Sequence, residues 1–290
     1  MSVKNILNLL QHHQTRLFSG LFLVVLIVAI TVLGLFWQPW GQADYDLASK
    51  LQSPSAMHLL GTDIYGRDIL ALLIGGTCNA ILVSLGAVGF GLLAGTLLGI
   101  FAATLGGEVD ALVMRISDFM FAFPAILLAV MLITLLGAGI TNAIVAIGLA
   151  NIPVFIRLTR NTVRQILPQD YVRSAKALGR TPVGIFKAHV LPNLLPVIIV
   201  QITIQLSVAI LAESALSYMD IGVQPPAPSL GRMLREAQML IFDHPMLTIV
   251  PGLAIALAVF AFNQLGEGLR DLLDLRLKAA SQPLLSKSVQ

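Results

Sequence analysis

The sequence predicts an all-α integral membrane protein: six transmembrane helices and a cytoplasmic helix-Gly-helix loop. Three observations carry this. Of the 290 residues, 57% are hydrophobic and only 11% charged, against about 25% charged in soluble domains, too few to cover a water-facing surface. The apolar residues fall into six runs, 17–37, 78–105, 121–136, 141–156, 194–216 and 245–265, at or near the ~20 residues a crossing needs. The basic residues are placed unevenly. Segments 1–16, 106–118, 157–190 and 266–290 hold 14 of the 18 Lys and Arg, and segments 38–77 and 214–244 hold 4. The positive-inside rule therefore puts both termini and the 157–190 segment in the cytoplasm.

The first run follows Lys4 and Arg16. It exceeds the usual signal-peptide core and lacks a small-x-small cleavage site, so it reads as a retained anchor. A polar outer segment follows, ending in LGTDIYGRDILALLIGG, Leu60–Gly76. Its helical part after Arg67 is too short to span and reads as an interfacial or re-entrant piece. The second run carries Gly91, Gly95 and Gly99 at four-residue spacing, a ridge of small residues for close contact inside the protomer or in a dimer. The third run has Pro124 near its start and the fourth has Pro153, an expected kink. The fifth contains Gln201, Gln205 and Glu213, and a Pro-rich loop leads from it to the sixth. The expected divisions are 1–77, an anchor helix and external segment; 78–277, the transmembrane domain; and 278–290, a cytoplasmic tail.

Between the fourth and fifth runs lies a basic island, YVRSAKALGRTPVGIFKAHVLP, Tyr171–Pro192. Asp170 suits an N-cap and Tyr171–Leu178 a short helix. Gly179 stands where a helix end wants positive φ. Thr181 and Pro182 restart a helix as N-cap and first residue, and Pro192 limits its extent. Tyr171, Ser174, Ala175 and Leu178 share one face; Arg173, Lys176 and Arg180 share another. By periodicity alone, an amphipathic helix lying on anionic lipid fits equally well.

This island resembles the EAA loop of ABC importer permeases, whose pattern is Glu-Ala-Ala, three residues, Gly, nine residues, then Ile-x-Leu-Pro. Arg173, Ser174 and Ala175 occupy the first three places, Gly179 matches, His189 stands for Ile, and Leu191-Pro192 match. LGTDIYGRD, GGEVDALVMRISDFMFAFP, ESALSYMDIGVQPPAPSLGRML and AFNQLGEGLRDLLDLRL are similar, in the same order, to motifs of the dipeptide, oligopeptide and nickel importer permeases. The resemblance runs from about Leu60 to Leu277. Departures include Asp220 for a small residue, Leu230 for Trp and Leu275 for Pro.

The resemblance implies a type I ABC importer permease-like fold in the bacterial inner membrane. It also implies a heterodimer with a second permease, two cytoplasmic ATP-binding subunits that use ATP and Mg, and an external solute-binding protein. The cargo would be peptides, nickel or a metal chelate, moved by alternating access. The rival is an ATP-independent secondary transporter or channel. The coupling residues would be Tyr171, Arg173, Ser174, Ala175, Leu178, Gly179, Pro182, His189, Leu191 and Pro192.

Gly61, Thr62, Asp63, Gly66, Arg67 and Asp68 form an outer-side motif. In it, Arg67-Asp68 is either a simple surface pair or a lock toward a partner. Glu213 is either a gate residue or a buried carboxylate satisfied by a backbone or Ser group. Gln201 and Gln205 either line the path or bond between helices. The chain is expected to be no enzyme and to bind no metal, cofactor or nucleic acid itself. It has no GxxxxGK[ST], no nucleophile-base constellation, scattered His and one cysteine, Cys78.

The topology has a direct check. In a Cys78→Ala background, Lys176→Cys should resist membrane-impermeant thiol reagents in intact cells and react in opened membranes. Labelling in intact cells would invert the orientation.

Overall fold

Lipid offers no hydrogen-bond partners, so each apolar run must satisfy its own backbone, and each becomes a helix. The computed structural model describes residues 3–36 and 45–281. Trp37 and the tail beyond Ser281 lie outside the described residues. The helices are α1 (Val3–Phe36), α2 (Ile69–Leu105), α3 (Gly107–Phe121), α4 (Ala125–Leu136), α5 (Ile140–Ile166), α6 (Asp170–Ala177), α7 (Pro182–Ile185), α8 (Leu191–Tyr218), α9 (Leu230–Ala237) and α10 (Met246–Ser281). Five described segments are long and apolar enough to cross a membrane, within α1, α2, α5, α7–α8 and α10; counting the bent pair α3–α4 as one crossing makes six.

Three elements differ from the sequence-based expectation. First, no separate piece precedes the second run: α2 is one 37-residue helix starting at Ile69, about 55 Å long at 1.5 Å per residue. Gly75-Gly76 weakens helix propensity, but tertiary packing overrides it. Gly76 is buried where a Cβ would come within 3.0 Å of the Leu230 backbone, so the pair lets α9 dock. The 77/78 division falls inside this helix.

Second, the third run is broken. Pro124 holds an extended turn after Phe121, and α3 and α4 meet at 88°. Third, Pro192 does not stop its helix. Phe186–Val190 form a π-turn that joins α7 to α8, and Leu191 N–H donates to Phe186 O. The wider turn relieves the clash a proline ring makes with the carbonyl four residues back.

The centre of the bundle is the contact between α2 and α5. Gly91, Gly95 and Gly99 face α5 so closely that a Cβ on Gly95 would lie 2.6 Å from Ile152 O and 2.6 Å from Phe155 Cβ. Gly148 returns the fit, lying against Ala87 O and Phe90. The ridge therefore serves packing within the protomer, where backbone approach and dispersion replace the hydrophobic effect. Around it Val83, Ala87, Ala143, Phe155, Ala209 and Ile210 are buried. α1 lies along α10, with Gly20 against Leu265 and Gly268 against Leu17.

Gly95→Leu should drive α2 and α5 apart and lower the unfolding temperature of the purified protein by several degrees, since overpacking costs roughly 1–3 kcal/mol. Gly89→Ala, where no atom lies within 4 Å of the added Cβ, should leave it unchanged.

Candidate functional site

The helix-Gly-helix element is built as a rigid unit. Gln169, rather than Asp170, is the N-cap residue of α6; Asp170 begins the helix, where its charge complements the helix dipole. Gly179 has φ +78. Its N–H donates to Lys176 O and the Arg180 N–H to Ala175 O, the paired bonds of a Schellman ending. Thr181 caps α7 by accepting from Gly184 N–H, with Pro182 in the first turn.

The faces differ from the sequence-based expectation. Val172 and Ala175 point inward and pack with Val163, Ile166, Ile185, Val190 and Leu194. Tyr171, Ser174 and Leu178 face out, and Leu178 is 87% and Val183 64% exposed. Arg173, Lys176 and Arg180 surround them, all exposed. Arg180 donates to His189 Nε2 at 3.1 Å, and the Tyr171 and His189 rings lie 5.7 Å apart. Leu191 is partly buried and Pro192 exposed at the start of α8.

Next to this element, three arginines of α5 grip α3. Arg160 and Arg164 both donate to Asp110, Arg164 at 3.0 Å. Arg157 donates to Asp118 at 2.6 Å, and its guanidinium stacks 4.2 Å from the Phe121 ring centre. Sequence reasoning treated these arginines as topology signals only. Their i, i+3, i+7 spacing opposite Asp110 and Asp118 is the signal that pairs them.

A cleft of about 280 Å³ opens between the α3–α4 elbow, α5 and α8. Its walls are apolar, with Phe121, Ala129, Val154 and Leu211 among them, and its two polar residues are Asn151 and Gln205. Gln201 does not line it, and neither does Glu213. Asn151 was missed in the sequence because a lone Asn in an apolar run has no pattern.

Glu213 is fully buried near the C-terminal end of α8. It accepts from Ser217 Oγ at 2.8 Å, Ser229 Oγ at 3.2 Å and Ser214 Oγ at 3.4 Å. Ser217 Oγ in turn accepts from Val223 N–H at 3.1 Å. Of the two expectations, the geometry matches the buried carboxylate: it ties the 219–229 loop and the start of α9 onto α8.

The outer motif is likewise internal. Arg67 pairs with Asp63 and Glu236, not with Asp68. Burial opposes the Arg67 cation, but the Asp63 and Glu236 charges and hydrogen bonds outweigh it and raise its pKa. Asp68 instead caps α2 by accepting from Ala71 N–H, and it meets His58 Nδ1 at 2.9 Å. Thr62, buried, holds Gln52 N–H and Ser49 O. Gly61 and Gly66 have φ +79 and +78 beside the Gln52 and Asp46 carbonyls. Asp220 also has positive φ, +67, a conformation Asp tolerates better than most residues, and it pairs with Arg232 and Arg235.

A family model described as "Binding-protein-dependent transport system inner membrane component" matches residues 95–279. The dipeptide transport system permease protein DppC of Alkalihalophilus pseudofirmus is 38% identical over 260 residues, covering 90% of this chain and 86% of that one. The glutathione transport system permease protein GsiD of Pectobacterium atrosepticum is 37% identical, covering 90% and 87%. The di/tripeptide permease DppC of Pseudomonas aeruginosa is 38% identical, covering 93% and 91%. Among solved structures, the MetNI methionine ABC transporter, inward facing, matches with TM-score 0.55 at 22% identity over 68% of this chain and 96% of that chain, a likeness of fold.

Glu213→Leu would strand three buried hydroxyls, at about 1–3 kcal/mol for each group left unsatisfied. The purified variant should melt several degrees lower and be cut faster by protease in the 219–229 loop. An unchanged cleavage rate would show that Glu213 does not tie the loop down.

Proposed function

The chain belongs to the family of binding-protein-dependent transport system inner membrane components, and we propose how its geometry serves the import of peptides. It is a permease subunit of an ABC importer, embedded in the inner membrane. Carriage by a family that depends on binding proteins leaves no ground for the ATP-independent carrier or channel. The named relatives move dipeptides, di/tripeptides and glutathione; they support peptide cargo over nickel.

One observation carries the mechanism: between two long apolar helices, α6–α7 presents exposed Tyr171, Leu178 and Val183 among exposed cations. Such a surface suits a protein partner with an apolar socket and acidic rim. We assign it to a cytoplasmic ATP-binding subunit, one of two that hydrolyse ATP with Mg. This permease pairs with a second, homologous one, and an external binding protein delivers cargo. Both termini lie in the cytoplasm.

The element is fixed to the ends of α5 and α8 by Val172, Ala175 and Ile185, so a shift of the ATPase moves those helices as bodies. Closure of the ATPases draws the two coupling elements together and opens the bundle outward; hydrolysis resets it. The catalytic groups belong to the ATPases, and this chain supplies the lever and the path.

Gly179→Val tests the lever. Space is open around the added Cβ, but φ +78 strains it, by roughly 1–2 kcal/mol, and the side chain projects beside the docking face. The complex should assemble and insert, yet lose most substrate-stimulated ATP hydrolysis and uptake. Normal uptake with normal ATPase binding would move coupling elsewhere and favour a lipid-facing role for α6.

A further inference from the structure

We propose that Asn151 and Gln205 are a recognition pair for the peptide main chain, within the cleft between the α3–α4 elbow, α5 and α8. This deepens the reading above and rests on it. Asn151 is 6% and Gln205 5% exposed. No hydrogen bond to either carboxamide is present among the described residues, and neither amide is among the fully enclosed atoms without a partner, so both open onto the cleft. Both lie on a cleft whose other lining residues are apolar. A carboxamide offers an N–H donor and a C=O acceptor at once, the same complement an amide bond presents.

Two of them in an apolar channel can replace the water lost by a peptide unit without selecting its side chain. The lining holds no Asp, Glu, His, Cys, Lys or Arg. It therefore offers a bare nickel ion no imidazole, thiolate or carboxylate, and it offers a neutral peptide unit both a donor and an acceptor. The apolar walls take side chains by contact alone, which matches a site that passes many sequences. Such sites hold weakly, and a transport path must release what it binds.

The test uses the whole transporter in proteoliposomes, with saturating peptide-loaded binding protein and ATP inside the compartment where the ATPases lie. Near-isosteric Gln205→Met and Asn151→Leu should each reduce dipeptide uptake per ATP hydrolysed about tenfold. ATP hydrolysis stimulated by the loaded binding protein should stay within twofold of wild type. In the unmodified transporter, a depsipeptide analogue, with an ester in place of the amide, should move several-fold more slowly than the dipeptide at saturation, because sites built to bond an N–H reject ligands that lack it. Equal rates for the two cargoes, or wild-type uptake per ATP in both variants, would overturn the pair. If the unmodified transporter carries no peptide, the functional reading fails first and the pair fails with it.

Discussion

The close approach of α2 and α5 is the constraint on which the other contacts depend. In lipid an apolar side chain gains little by leaving its surroundings, so helices associate through fit. Here fit means that Gly91, Gly95 and Gly99 carry no Cβ where the α5 backbone passes, and Gly148 does the same for α2. Bulk at these points would separate the pair by more than packing can follow. With α5 laid on α2, the positions of Asn151 and the three arginines are set, because all stand on that helix.

α5 then acts as a spine with different chemistry along its length. Its middle faces the cleft through Ala150, Asn151 and Val154. Its far part binds α3 through Arg157, Arg160 and Arg164. Its end joins Val172 and Ala175 of α6 in a common core. Only the three-residue turn 167–169 separates α6 from α5, the helix that lines the cleft. The π-turn at Phe186–Val190 connects α8 directly from the other side, so the α6–α7 element is held at both ends.

Much of this was legible in the sequence. Composition and charge placement carried the fold class, and Gly179, Thr181 and Pro182 announced their own local geometry because backbone conformation there depends on one residue. What failed depended on distant partners. Ile69–Gly76 looks too short to matter until α9 lies against Gly76. Pro192 looks like a stop until the π-turn makes room. The inward position of Ala175 and outward position of Leu178 depend on where Val163 and Ile185 sit, which periodicity alone does not say. Arg67 sits beside Asp68 in sequence but pairs with Asp63 and Glu236, the latter 169 residues away.

The two ends of the bundle are built differently. At one end the loops are tied inward: Arg67 between two carboxylates, Glu213 under three hydroxyls, Asp220 between two arginines. These contacts join the C-terminal end of α8 and the start of α2 to their own loops. At the other end, Leu178 and Val183 stand in the open among exposed Arg173, Lys176 and Arg180, the last donating to His189. A surface left unsatisfied in this way gains free energy only when something covers it. In the assignment proposed above, the exposed α6–α7 face is where a partner's force enters, and α5 leads from it to the cleft.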